Sequence, residues 1–212
     1  MTVMVANNTG KKLKQLAAQF PGKIGHLYGP GTNQLKPVEN FQYALDNNRF
    51  GSFKDGRQWN EESWIDLIKW GGKADPSPLW AIVPDVVGDR TATLSDWNRY
   101  HGVISEHGIP LAFAVQDGMS ASDVPSNASV VFIGGTTEWK WATMRLWCKD
   151  FPRVHVGRVN TYGRLFECHD AGAESVDGTG WVRGCQRQWR GLVQYLQETS
   201  GVKPRDIQSS LF

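Results

Sequence analysis

Short apolar runs punctuate the whole chain: MTVMVA at the start, KIGHLYG (23–29), NFQYALD (40–46), LWAIVPD (79–85), PLAFAVQ (110–116), SVVFIGG (129–135), RVHVGRV (153–159) and ESVDG (174–178). Several are continuously apolar rather than alternating, the pattern of strands buried on both faces. Helix-period stretches lie between them. Residues 60–70 open on Asn60 as an N-cap and place Trp64, Leu67 and Ile68 on one face. Residues 93–107 open at Thr93 or Ser95 and stop before Gly108-Ile109-Pro110. Residues 138–149, 161–171 and 181–199 complete the set, the last read as one long amphipathic helix. Strand followed by helix, repeated, predicts a parallel sheet wrapped by helices. Eight strand candidates predict a compact (β/α)8 barrel of a single α/β domain over residues 1–212, with an open doubly wound sheet as the alternative. With 212 residues to spend, some crossovers are expected to be bare loops.

Composition narrows the class. An apolar share of 40% with 21% charged residues excludes a disordered chain. No apolar run reaches the roughly 18–20 residues of a membrane helix, and the start lacks a basic-then-apolar leader, so a cytoplasmic protein without membrane contact is expected. Cys148, Cys168 and Cys185 show no CxxC spacing, which fits reduced thiols. No G-x-G-x-x-G, P-loop, H-E-x-x-H or G-x-S-x-G is present, so no nucleotide cofactor, metal or serine nucleophile is indicated.

Position carries the functional signal. Asp46, Asp85, Gln116, the pair Gly134-Gly135, and Asp177 each close or follow an apolar run. In a parallel barrel all strand C-termini open on one face, where sites are built, so these residues are expected to converge. Any one Asp there also serves as a helix N-cap or turn residue. Paired carboxylates, read here as working without His, Cys or Lys, suit glycosyl transfer: one attacks an anomeric carbon and the other moves a proton. A third carboxylate, a Gln and backbone amides suit the edge of a purine-like base.

The succession YALDN (43–47), IVPDVVGD (82–89), FAVQDGM (113–119), FIGGTTEWK (132–140), HVGRVNT (155–161) and SVDGT (175–179) resembles the tRNA-guanine transglycosylase superfamily. It is most similar to the short, often phage-encoded branch that acts on DNA, the deazapurine-in-DNA transglycosylases (DpdA family). The resemblance covers roughly residues 23–180, with the catalytic motifs within 40–180 and a C-terminal helix and tail over 181–212. It implies a TIM-like barrel that exchanges guanine in a polynucleotide for a 7-deazaguanine base such as 7-cyano-7-deazaguanine. It further implies Asp177 as the nucleophile at C1′ and Asp46 as the proton-transfer carboxylate. Asp85, Gln116, Gly134, Gly135 and Glu138 are implied to hold the base. Two departures are visible. The C-terminal zinc-binding module of the tRNA enzymes is missing, and so is the arginine that closely follows their nucleophile, Arg183 being the nearest here.

The partners so implied are DNA and the free 7-deazaguanine base, with no cofactor and no metal. Arg49, Arg158 and Arg183 are candidates for the nucleic-acid backbone, and Phe50, Trp139 or Trp181 for stacking on an extruded base. RNA as substrate, hydrolysis by an N-glycosidase on the same carboxylates, and a non-catalytic binding barrel are the competing expectations.

Overall fold

In the computed structural model, which describes residues 1–6, 10–32 and 35–201, the eight apolar runs form eight parallel strands. They are β1 (Thr2–Ala6), β2 (Ile24–Tyr28), β3 (Gln42–Leu45), β4 (Ala81–Ile82), β5 (Leu111–Val115), β6 (Val130–Ile133), β7 (Val154–Val156) and β8 (Ser175–Asp177). Strand order follows chain order, and β1 pairs with β8 through Val3 opposite Val176 and Met4 opposite Asp177. That last pairing closes the barrel and rules out the open doubly wound sheet.

Helices wrap the outside: α1 (Lys11–Gln19), α2 (Arg49–Lys54), α3 (Glu61–Gly71), α4 (Arg90–Ser105), α5 (Thr137–Asp150), α6 (Tyr162–Asp170), α7 (Gly180–Arg183) and α8 (Gln186–Ser200). Among the described residues the β2–β3 link has no helix and the β5–β6 link only a 3-10 turn, Ala121–Asp123, in line with the bare crossovers expected from the chain length. Asn60 caps α3, its side-chain oxygen accepting from Ser63 N at 2.9 Å.

Three element assignments need correction. Helix α4 begins earlier than Thr93, because Asp89 accepts from Ala92 N at 2.9 Å and takes the cap. Thr93 instead braces the preceding loop through Val86 N and O. The stretch 181–199 is two helices, broken at Gly184, whose extended backbone leads into a new cap at Cys185 with Gln188 bonding back. Helices α1 and α2 stand where the sequence reading gives no helix; α1 buries Leu13, Leu16 and Ala17 on one face, and neither has a side-chain cap.

Two apolar layers result. Alternate strand residues Val3, Val5, Leu111, Phe113, Val115, Val131 and Ile133 point out beneath the helices, in one large cluster. Their neighbours Met4, Leu27, Ala44, Trp80, Ile82, Ala112, Ala114 and Val130 fill the barrel interior. Alanines on β3 and β5 leave the volume that Trp80 and Phe132 occupy, as close packing requires.

Candidate active site

Strand alternation decides what reaches the cavity at the C-terminal mouth. Residues 112 and 114 face inward, so Gln116 follows on the same side; Ala44 faces inward, so Asp46 does too. On β8, Val176 points out with the helix-facing layer, which leaves Ser175 and Asp177 inward. Asp46, Gln116, Gly134-Gly135 and Asp177 therefore stand around one mouth, and Asp85 joins them through its bonds to Gln116 and Asn47.

Asp85 and Gln116 are bound to each other. Gln116 Nε2 donates to Asp85 Oδ2 at 2.7 Å, and Asn47 Nδ2 donates to Asp85 Oδ1 at 2.7 Å. Gln116 Oε1 accepts from Gly88 N and Gly135 N, both at 3.0 Å, so this one amide ties the loops after β4, β5 and β6 together. Burial pushes the Asp85 carboxyl above its ordinary range, against the pull of the Asn47 donor and the Arg49 charge. Gly134 lets the strand end approach closely, since a Cβ there would lie 2.8 Å from Gln116 Nε2. Gly135 adopts φ +63°, a left-handed conformation that favours glycine, and a Cβ there would meet Trp139 at 2.6 Å.

Asp177 is held from β7. His155, wholly buried, places Nε2 3.0 Å from Asp177 Oδ2 and Nδ1 2.8 Å from Ser175 Oγ. Arg158 donates its backbone N–H to Asp177 Oδ1 at 3.2 Å, and its guanidinium bonds the carbonyls of Gly134 and Gly135. Beneath them the fully buried Lys140 donates to Gly157 O at 2.6 Å. Burial, with Arg158 nearby, lowers that ammonium to about 8. The expectation of a carboxylate site without His or Lys is thus corrected: His155 touches Asp177, and Lys140 carries the loop above it.

Asp46 keeps some surface at the cavity yet lies deep among protein atoms. Burial, followed by the charge of Asp177, raises its carboxyl from 3.8 to about 7, against a 3.3 Å bond from Asn48 N. Asp46 is therefore poised between its two protonation states near neutrality, while sensing Asp177 electrostatically.

Other expected site residues stand apart. Glu138 is exposed in the first turn of α5 and makes no hydrogen bond or ion pair among the described residues. Arg49 is spent within the protein, paired with Asp96 at 2.8 Å and stacked over Trp59 at 3.9 Å. Arg183 is exposed at the end of α7. Trp181 is a core residue, but Phe50 is 40% exposed with the Arg158 guanidinium 4.5 Å from its ring. The sequence reading missed His155: alternation in RVHVG separates its face from that of Val154 and Val156, but its pairing with Ser175 comes from the β7–β8 register. Among the described residues no three His, Cys, Asp or Glu side chains are grouped to hold a metal ion.

No known family profile and no curated protein sequence matches this chain. Solved structures of the tryptophan synthase α-subunit from Pyrococcus furiosus are similar to it, at 11% identity over 95% of this chain and 97% of that one, with a TM-score of 0.55. The likeness is to the fold alone. A structure of the whole Pyrococcus tryptophan synthase complex gives the same result, with a TM-score of 0.56 at 11% identity.

Proposed function

We propose that the protein is a base-exchange transglycosylase that replaces guanine in DNA with a 7-deazaguanine base through a covalent glycosyl-Asp177 intermediate. The observation that carries this reading is the pairing of two unlike carboxylates at one mouth. Asp177 is clamped by donors on both oxygens, and Asp46 is pushed to about 7 partly by the Asp177 charge. Unlike environments separate the roles of two acids in glycosyl transfer.

In this mechanism an Asp177 oxygen bonds to C1′ as the C1′–N9 bond breaks, and the electron pair leaves with the base. The proton held by Asp46 passes to the departing guanine. The incoming base returns a proton to Asp46 as its N9 attacks C1′ and frees Asp177. Two displacements at one carbon retain configuration. Asp85, Asn47 and Gln116 form the polar wall for the base edge, and Gly88 and Gly135 amides keep that wall rigid. A base stacked in a duplex cannot reach such a mouth, so the substrate nucleotide is extruded or single-stranded. The resemblance in motifs to the branch that acts on DNA favours DNA over tRNA.

Trapping tests the proposal. A guanine-containing single-stranded oligodeoxynucleotide should give a protein adduct on a denaturing gel with wild type and none with Asp177→Asn. Mass spectrometry of nucleosides from cells expressing the protein with a 7-deazaguanine supply should find the modified base in DNA. Modified RNA instead would move the substrate to RNA, and release of free guanine without exchange would make the enzyme a hydrolase.

A further inference from the structure

We infer that His155 is the positioning residue of the nucleophile, holding Asp177 by its Nε2–H from beneath the cavity floor. The inference rests on the reading above that Asp177 is the reacting carboxylate. Burial decides which member of the pair serves the other. The His155 side chain is 0% exposed and that of Asp177 16%, so only the carboxylate faces the cavity and the imidazole cannot itself meet a substrate.

The ring is fixed in every direction that matters. Phe132 stacks on one face with centroids 4.8 Å apart and planes at 24°, and Trp80 meets the ring edge-on at 4.8 Å. Ser175 Oγ, 2.8 Å from Nδ1, fixes the remaining freedom. When the ring is neutral, the serine hydroxyl donates to Nδ1, and Nε2 must carry its hydrogen toward Asp177. When it is charged, the hydroxyl accepts from Nδ1 and Nε2–H still faces the carboxylate. Ser175 lies one inward step below Asp177 on the same strand, paired with His155 across the β7–β8 ladder. Strand β8 thus supplies both the nucleophile and the group that orients its support. With Arg158 N–H on the other oxygen, Asp177 is restrained at both ends.

The other charged groups that interact with Asp177 are Asp46 from β3, Lys140 from α5 and Arg158 from the loop after β7, and all remain in the variants below. Carboxyl-carbon NMR of isotopically labelled aspartate, at one fixed pH, reports the hydrogen bonds at Asp177 without any substrate. His155→Leu removes the donor at Oδ2, so the Asp177 resonance should move away from its wild-type position. His155→Gln, whose Nε2–H can reach the same oxygen, should return the resonance toward wild type. The rate of adduct formation should fall roughly 10- to 100-fold in His155→Leu, with oligonucleotide affinity unchanged, and recover in His155→Gln. An Asp177 resonance and adduct rate both unchanged in His155→Leu overturn the inference. Should that variant not fold, His155→Asn, which reaches Ser175 but not Asp177, carries the same test with the same overturning result. A resonance that moves in His155→Leu and returns in His155→Gln, in a protein that forms no adduct on DNA or RNA, upholds the positioning role and overturns the transglycosylase reading instead.

Discussion

Asp46 and Asp177 are the same residue type at the ends of two strands, and their surroundings give them opposite duties. Asp177 is met by two donors; Asp46 is met mainly by burial and by a neighbouring negative charge. Because the native protein raises the Asp46 carboxyl from 3.8 to about 7, it binds that proton more tightly than the unfolded chain does. Stability from this group is therefore full below about pH 4 and declines as pH rises toward 7. Asp46→Asn, neutral throughout, should be more stable than wild type at pH 8.5, by on the order of 2 kcal/mol, and should lose that advantage at pH 4. Denaturant unfolding at the two pH values measures it, and equal differences at both would contradict the shifted carboxyl. In exchange assays the same variant should still bind oligonucleotide while slowing turnover by about 10² to 10⁴-fold.

At the scale of elements, the site is a set of strand ends and loops held together by a few side chains. Gln116 is the hub for three of those loops, and Gly134 is the close approach that permits it. Gly134→Ala drives a methyl into Gln116 Nε2. It should cost roughly 1–3 kcal/mol and weaken binding of free guanine, read by denaturation and by calorimetry. Gly102 makes the contrast: it sits inside α4 with nothing within 4 Å of a built Cβ. Gly102→Ala should stabilise by about 0.5–1 kcal/mol and leave guanine binding unchanged. If both variants behave alike, the loops rather than the Gln116 contacts set the stability of the mouth.

The whole molecule depends on closure, because β1 and β8 lie at opposite ends of the chain and meet only in the finished barrel. Helix α8 packs on α6 and α7 and buries Leu192, Val193, Tyr195 and Leu196, and Tyr195 OH lies 2.9 Å from His169 Nδ1 on α6. Each such side chain contributes roughly 1.5–3 kcal/mol by burial, so the four together approach the whole 5–15 kcal/mol of a typical domain. A chain ending at Gly184 should therefore show no cooperative thermal transition by circular dichroism, whereas the full chain should show one. A sharp transition in the shortened chain would mean the barrel closes without α8.

What was legible in the sequence was the local and the periodic. Continuous apolar runs marked strands buried on both faces, their number and spacing pointed to the barrel, and polar residues at their ends marked the mouth where Asp46, Asp85, Gln116 and Asp177 gather. Local chemistry also sufficed for the Asn60 cap, since capping is decided within four residues. It failed at Gly184, where nothing in the helical period of 181–199 announces the extended residue that splits α7 from α8. Partnership lay beyond it altogether. That Arg49 is consumed by Asp96, that Gln116 binds Asp85 rather than standing free, and that His155 supports Asp177 depend on register between strands distant in sequence. A side chain's neighbours across a parallel ladder are set by closure of the barrel and the packing of its interior, and only the assembled tertiary structure supplies those.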